Sequence, residues 1–152
     1  MTAESERLLR AAGWTPGRRK RVRAWHAARR LERAGFVVWP ELRDLLANLE
    51  GLTVRWENHS HTDQLRFKAC VAVKAAKFEI ACDPGPAIGS RWAPIGMIFQ
   101  DHMQVLVAED GRFFGTWFPD LWLLGETFDA FIDDVLRDQS EQEPFWTAPD
   151  VD

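Results

Sequence analysis

His59, His61 and Asp63 stand at alternate positions of NHSHTD (residues 58–63), and imidazole and carboxylate are side-chain types that hold a divalent metal. On a polar loop, alternate residues fix no coordination geometry, and no second ligand pair has matching spacing. A solvated loop is the preferred reading. Cys70 or Cys82 with His102 supplies the types of a Cys–His catalytic pair. Both cysteines lie in apolar, strand-like runs with nothing adjacent to lower a thiol pKa, so small buried hydrophobes are expected there. Neither sits in a CxxC spacing. GxSxG, P-loop, HExxH and dinucleotide fingerprints are absent from the sequence. The residues therefore point to no catalytic group, no cofactor and no metal.

Charge is the stronger signal. The net charge of −4 conceals an asymmetry: residues 7–33 hold ten of the nineteen Lys and Arg and one acid, Glu32. Residues 109–152 hold twelve acids against Arg112 and Arg137. In the basic run, Arg18, Arg19, Arg21, Arg29 and Arg33 have the type and density that track phosphates, as in a nucleic-acid-binding regulatory module. Val22, Trp25 and Leu31 are expected to commit one face of that helix to the core. Solvation of the remaining arginines, or pairing with the acidic C-terminal helix, is preferred over direct nucleic-acid contact.

The elements that must position these groups follow from pattern. Thr2 caps a helix to about residue 12, with Gly13 at its exit. GWTPG breaks the chain before a second helix expected over 18–34, which Gly35 ends. Pro40 opens a third helix with Leu42, Leu45, Leu46 and Leu49 on one face. From Leu52 the period becomes that of strands: 53–57, then β-rich stretches near 64–73 and 76–82. DPGPAIGS (83–90) reads as a turn-rich connection. Asp110 and Gly111 turn a hairpin between strands at 104–108 and 112–118. Thr127 caps a last helix with Phe128, Phe131, Ile132, Val135 and Leu136 in a stripe. Helices, then strands, then a helix imply an α+β domain with a largely antiparallel sheet. The 152 residues suit one domain, assigned to 1–138, with a loose acidic tail over 139–152. No apolar run approaches the roughly 18 residues of a membrane span, and MTAESERLLRAAG lacks an export-signal layout. A cytoplasmic protein without membrane contact is expected.

AAGWTPGR, LLANLEGLTV, WAPIG, VLVAEDGRFFG and LLGETFDAFIDDVL occur in this order. Together they resemble the SUKH superfamily, in particular its third subfamily of bacterial immunity proteins, from about residue 8 to about 137. The motif positions are Gly13, Trp14, Arg18, Gly51, Leu52, Pro94, Gly96, Gly111 and Gly125. The hydrophobic-acidic-Pro element of the family is met by Phe78, Asp83 and Pro84 with irregular spacing. Trp14 and Arg18 are expected to be structural, a Trp buried between helices with Arg18 bonding nearby carbonyls or a carboxylate. Pro94 and Gly96 read as turn geometry.

The resemblance implies a non-enzymatic antidote that binds a cognate toxin domain encoded nearby, often a nuclease or nucleic-acid deaminase. It leaves homo-oligomerisation open. Such a toxin presents positive charge to its substrate, so an acidic, aromatic surface suits capture. Phe113, Phe114, Trp117, Phe118 and Trp122 crowd the hairpin, with Phe114 and Phe118 on one strand face and Phe113 and Trp117 on the other. The expected toxin-binding residues are Glu109, Asp110, Trp117, Asp120 and Trp122.

Overall fold

The computed structural model describes residues 1–76, 83–137 and 142–149. Phe78 and Cys82, and most of the stretch expected as a strand over 76–82, lie outside the described residues.

Helix α1 (Ala3–Ala11) starts at Thr2, whose hydroxyl oxygen accepts from Ser5 N. Helix α2 (Arg21–Arg33) begins three residues later than expected. The preceding loop is drawn onto the end of α3 (Pro40–Leu49), where Lys20 N donates to Ala47 O at 2.8 Å. The core face of α2 also differs from expectation. Val22 and Trp25 are 71% and 54% exposed, while Ala24, Ala27, Ala28 and Leu31 are buried. Both sets fit a helical period, and the alanines let α2 approach its neighbours closely. Trp25 instead lies on the outside, with the Arg29 guanidinium 5.5 Å from its ring centre and His26 edge-on.

The sheet is a seven-stranded antiparallel meander in sequence order: β1 (Thr53–Asn58), β2 (His61–Arg66), β3 (Trp92–Ile98), β4 (Met103–Ala108), β5 (Phe113–Trp117), β6 (Asp120–Gly125) and β7 (Trp146–Thr147). Two helices, α4 (Ala69–Ala76) and the short α5 (Gly85–Ile88), lie between β2 and β3, and α6 (Phe128–Val135) lies between β6 and β7. The architecture is α+β, with N-terminal helices and a C-terminal helix on an antiparallel sheet.

Several local expectations are corrected. The polar 58–63 segment is a tight hairpin, and Asp63 is a buried strand residue, 3% exposed. The stretch at 64–73 is not one strand: β2 stops at Arg66, and the alanines after it favour a helix. Cys70 is therefore on a helix. WAPIGMI, read as turn geometry around Pro94 and Gly96, is the buried strand β3. A register shift between Pro94 and Gly96 accommodates the proline. A Cβ on Gly96 would overlap the backbone oxygen of Arg66, so the strand meets the preceding chain where only glycine fits. In the segment expected to be loose, Trp146 and Thr147 pair with Leu121 and Asp120, and Ala148 is buried.

Both faces of the sheet carry apolar cores. The first joins Val105, Val107, Phe113 and Leu124 to α1, α2, α3 and α6 through Leu9, Leu31, Leu46 and Phe131. The second joins Leu106, Ala108, Phe114 and Leu121 to Ile88, with Trp92 and Trp146 packed against it. Covering both faces explains why adjacent Phe113 and Phe114 are both buried. The Phe113 ring stacks on Phe131 at 4.6 Å.

Candidate functional site

In an antiparallel meander alternate turns share one end of the sheet. The turns of β1–β2, β3–β4 and β5–β6 therefore lie together, and the β4–β5 turn lies at the other end. At the three-turn end, Trp117 and Phe118 are 61% and 54% exposed. The Trp117 ring stacks on His102 of the neighbouring turn, with centroids 6.2 Å apart. Gln100 Nε2 donates to Thr62 O at 3.3 Å, and Arg66 meets Asp101 at 2.7 Å, tying the β1–β2 hairpin to the β3–β4 turn.

The β3–β4 turn is strained. Phe99, Gln100 and Asp101 have φ of 53°, 55° and 64°, a left-handed run without glycine. Each such residue costs on the order of 1–3 kcal/mol and persists only where neighbours over-determine it, a condition common at binding sites. The Gln100 and Asp101 contacts supply that restraint.

His61 and Asp63 come together here. His61 Nε2 lies 3.2 Å from Asp63 Oδ2, which also accepts from Asn58 Nδ2 at 2.7 Å. The buried carboxylate thus holds the hairpin from inside. His59 occupies the turn itself, with φ of 50°. Among the described residues, no three His, Cys, Asp or Glu side chains gather as a metal site. Cys70 stands in the first turn of α4, beyond the end of β2 that is remote from His61, while His102 is engaged by Trp117.

The five residues expected to share a surface are divided. Glu109 and Asp110 occupy the β4–β5 turn, about 17 Å from the Trp117 end by the length of a five-residue strand. Their charges are spent locally. Glu109 pairs with Arg91 at 2.6 Å and Asp110 with Arg112 at 2.7 Å. Hydrogen bonds from these guanidinium groups hold both carboxyls below their ordinary pKa values. Trp117 and Asp120 do come together, as cross-strand partners, with Asp120 Oδ1 accepting from Thr147 Oγ1 at 2.6 Å. Trp122 is half-buried against the first core, its indole N–H donating to Gln142 O at 3.3 Å. His102 and Gln100 were not anticipated as part of this surface. Their only sequence signal is polarity in a turn.

Beside Phe118, on the second face of the sheet, a cavity of about 270 Å³ opens between Phe36, Trp92 and Trp146. Elsewhere the arginines of the basic segment have divided roles. Arg18 donates to Asn48 O at 2.6 Å and Glu50 O at 2.9 Å, capping the carbonyl end of α3. Arg19, Arg21 and Arg33 are exposed.

A family model for the SUKH-3 immunity protein matches residues 1–138. The chain belongs to the SUKH-3 immunity protein family. No curated protein and no solved structure matches it. In this SUKH-3 chain the N-terminal motif has a structural explanation. Trp14, 8% exposed, donates its indole N–H to Asn48 Oδ1 at 2.7 Å, beside the Arg18 contacts. Asn48 Nδ2 faces the carbonyls of Thr15, Pro16 and Arg18. Gly51 N donates to Phe67 O and Phe67 N to Leu52 O, which joins the motif to the start of the sheet. Gly125 lets β6 run against the backbone of Ala130 and Phe131 in α6, where any Cβ would overlap. Gly13 follows the end of α1, and Gly111 turns the β4–β5 hairpin. An immunity role follows from the family. No helix among the described residues is long and apolar enough to cross a membrane.

Proposed function

We propose that this SUKH-3 protein binds a toxin domain encoded beside it in the cytoplasm and neutralises it by stoichiometric blockade. Its own side chains make and break no bond. The observation that carries the reading is the exposed pair Trp117 and Phe118 at the three-turn end, with the Trp117 ring stacked on His102. Trp buries large area with little entropy loss and is enriched among interface hot spots. A preset aromatic anchor needs little ordering on binding. Asp120 adds a carboxylate beside the anchor, and the acidic C-terminal part of the chain favours approach by a basic nuclease or deaminase domain. Glu109 and Asp110 contribute little, being paired and remote.

The test is co-expression with the toxin domain encoded next door. Growth should be restored by the native chain and not by Trp117→Ala with Phe118→Ala, both variants being folded. Protection by that double variant would remove the surface assignment, and no protection by the native chain would remove the toxin reading.

Direct nucleic-acid binding through the basic segment 18–33 is the second reading, supported by the exposed Arg19, Arg21 and Arg33. Arg18 is excluded from its test because it caps α3. Salt-dependent binding of a DNA duplex that Arg19→Glu with Arg21→Glu abolishes would favour it.

A further inference from the structure

The cavity beside Phe118 has a composition that selects its occupant. Its walls carry the rings of Phe36, Trp92, Phe118 and Trp146, and among the described lining residues Asp83 is the only charged one. Phe36 and Trp92 meet edge to face at 5.3 Å between centroids, so one wall is braced. Gln104 lines the cavity, 2% exposed, and its Nε2 donates to Ala72 O. The Thr116 hydroxyl donates to Asp120 O. Among the described lining residues, the acceptors that face a ligand are the Asp83 carboxylate, which also accepts from Gly85 N, and Gln104 Oε1.

Aromatic faces attract cations through the ring quadrupole, Trp most strongly. Carboxylate and carbonyl acceptors complement a donor-only group. Guanidinium meets both demands, being flat, able to stack on an indole and furnished with donors alone. At about 270 Å³ the space falls just below the roughly 300–1,000 Å³ of pockets that enclose whole small molecules, and it suits one long side chain. Its lip, Phe118 and Pro119, belongs to the exposed three-turn end.

We infer that this cavity receives an arginine side chain of the partner protein that docks on the Trp117 end. The inference rests on the reading of that end as the partner-binding surface. It names the partner's chemistry there: a basic surface with an arginine projecting beside an apolar patch.

The test is a titration of the full chain followed by the indole N–H resonances of Trp92 and Trp146, assigned with Trp92→Phe and Trp146→Phe. The probes are acetyl-Gly-Arg-Gly-amide, acetyl-Gly-Leu-Gly-amide and choline. The arginine peptide should move both resonances at lower concentration than the other two probes. Asp83→Asn should raise its dissociation constant about tenfold, the size of one lost charge-assisted hydrogen bond. Tighter binding of the leucine peptide would make this a plain apolar pocket, and tighter binding of choline a small-molecule cation site. Either result, or unmoved indoles, overturns the inference. The titration needs no toxin, so its failure is separable from failure of toxin binding at the tip.

Discussion

The indole of Trp117 lies nearly parallel to the imidazole of His102, 15° from coplanar and 6.2 Å between centroids, although the two belong to different hairpins. The contact is worth about 0.5–1.5 kcal/mol by the usual scale of aromatic pairs. Its larger consequence is orientation, because it fixes an exposed ring before any partner arrives. His102→Ala should leave the cooperative thermal transition in place and weaken toxin binding less than Trp117→Ala does. Calorimetric titration of both variants checks this. Equal loss from the two would mean that His102 itself is a contact.

Asn48 links the N-terminal motif to α3 by accepting from the Trp14 indole and donating toward three carbonyls. Asn48→Ala leaves the indole N–H of a residue that is 8% exposed without its acceptor. A loss of about 1–3 kcal/mol in urea denaturation is expected. Toxin affinity measured on the folded fraction should stay the same. A variant as stable as the native chain would contradict the lock.

Glu50 sits at the junction of α3 and α4, its carboxyl accepting from Ala69 N. Burial pushes its pKa up from 4.5 to about 7, against the opposing backbone hydrogen bond from Ala69. An acid with a raised folded pKa favours folding while protonated. Its contribution is full below 4.5 and is lost as pH rises through 7. The native chain should therefore lose up to about 3 kcal/mol of stability across that window relative to Glu50→Gln. Denaturation midpoints of the two proteins at matched pH test this, and parallel profiles would contradict it.

Glu109 and Asp110 are internal ion-pair partners, not free charges. Glu109→Gln with Asp110→Asn should leave toxin affinity and its salt dependence close to native, whereas Asp120→Lys should weaken binding. Salt-titrated binding curves decide between them. A marked loss from the first pair would move the surface to the β4–β5 turn.

The parts of the fold legible in the sequence are those set by local chemistry. Thr2 and Thr127 cap their helices through side-chain oxygens, as their positions imply. The leucines of α3 declare a face, and Asp110 with Gly111 marks a turn. Where two local patterns compete, the sequence is ambiguous. In α2, Val22 and Trp25 share a helical period with the alanines, and close packing favours the smaller side chains for the core. In β3, Pro94 and Gly96 carry turn chemistry, yet one sits at a register shift and the other at a close backbone approach. The candidate site was half legible. The exposure of Trp117 follows from the crowding of aromatics around one hairpin. The neighbourhood of His102 and Gln100 depends on registers between strands far apart in sequence, which no local pattern encodes. The same holds for Asn48, which bonds a loop some thirty residues away.

The most direct measurement is a calorimetric titration of the folded chain into the toxin domain encoded beside it, repeated with Trp117→Ala and Phe118→Ala. The expected result is saturable one-to-one binding that abolishes toxin activity, lost in the double variant while its melting transition is retained. Neutralisation by less than an equimolar amount of the chain, or native affinity in that variant, would contradict blockade through the Trp117 end.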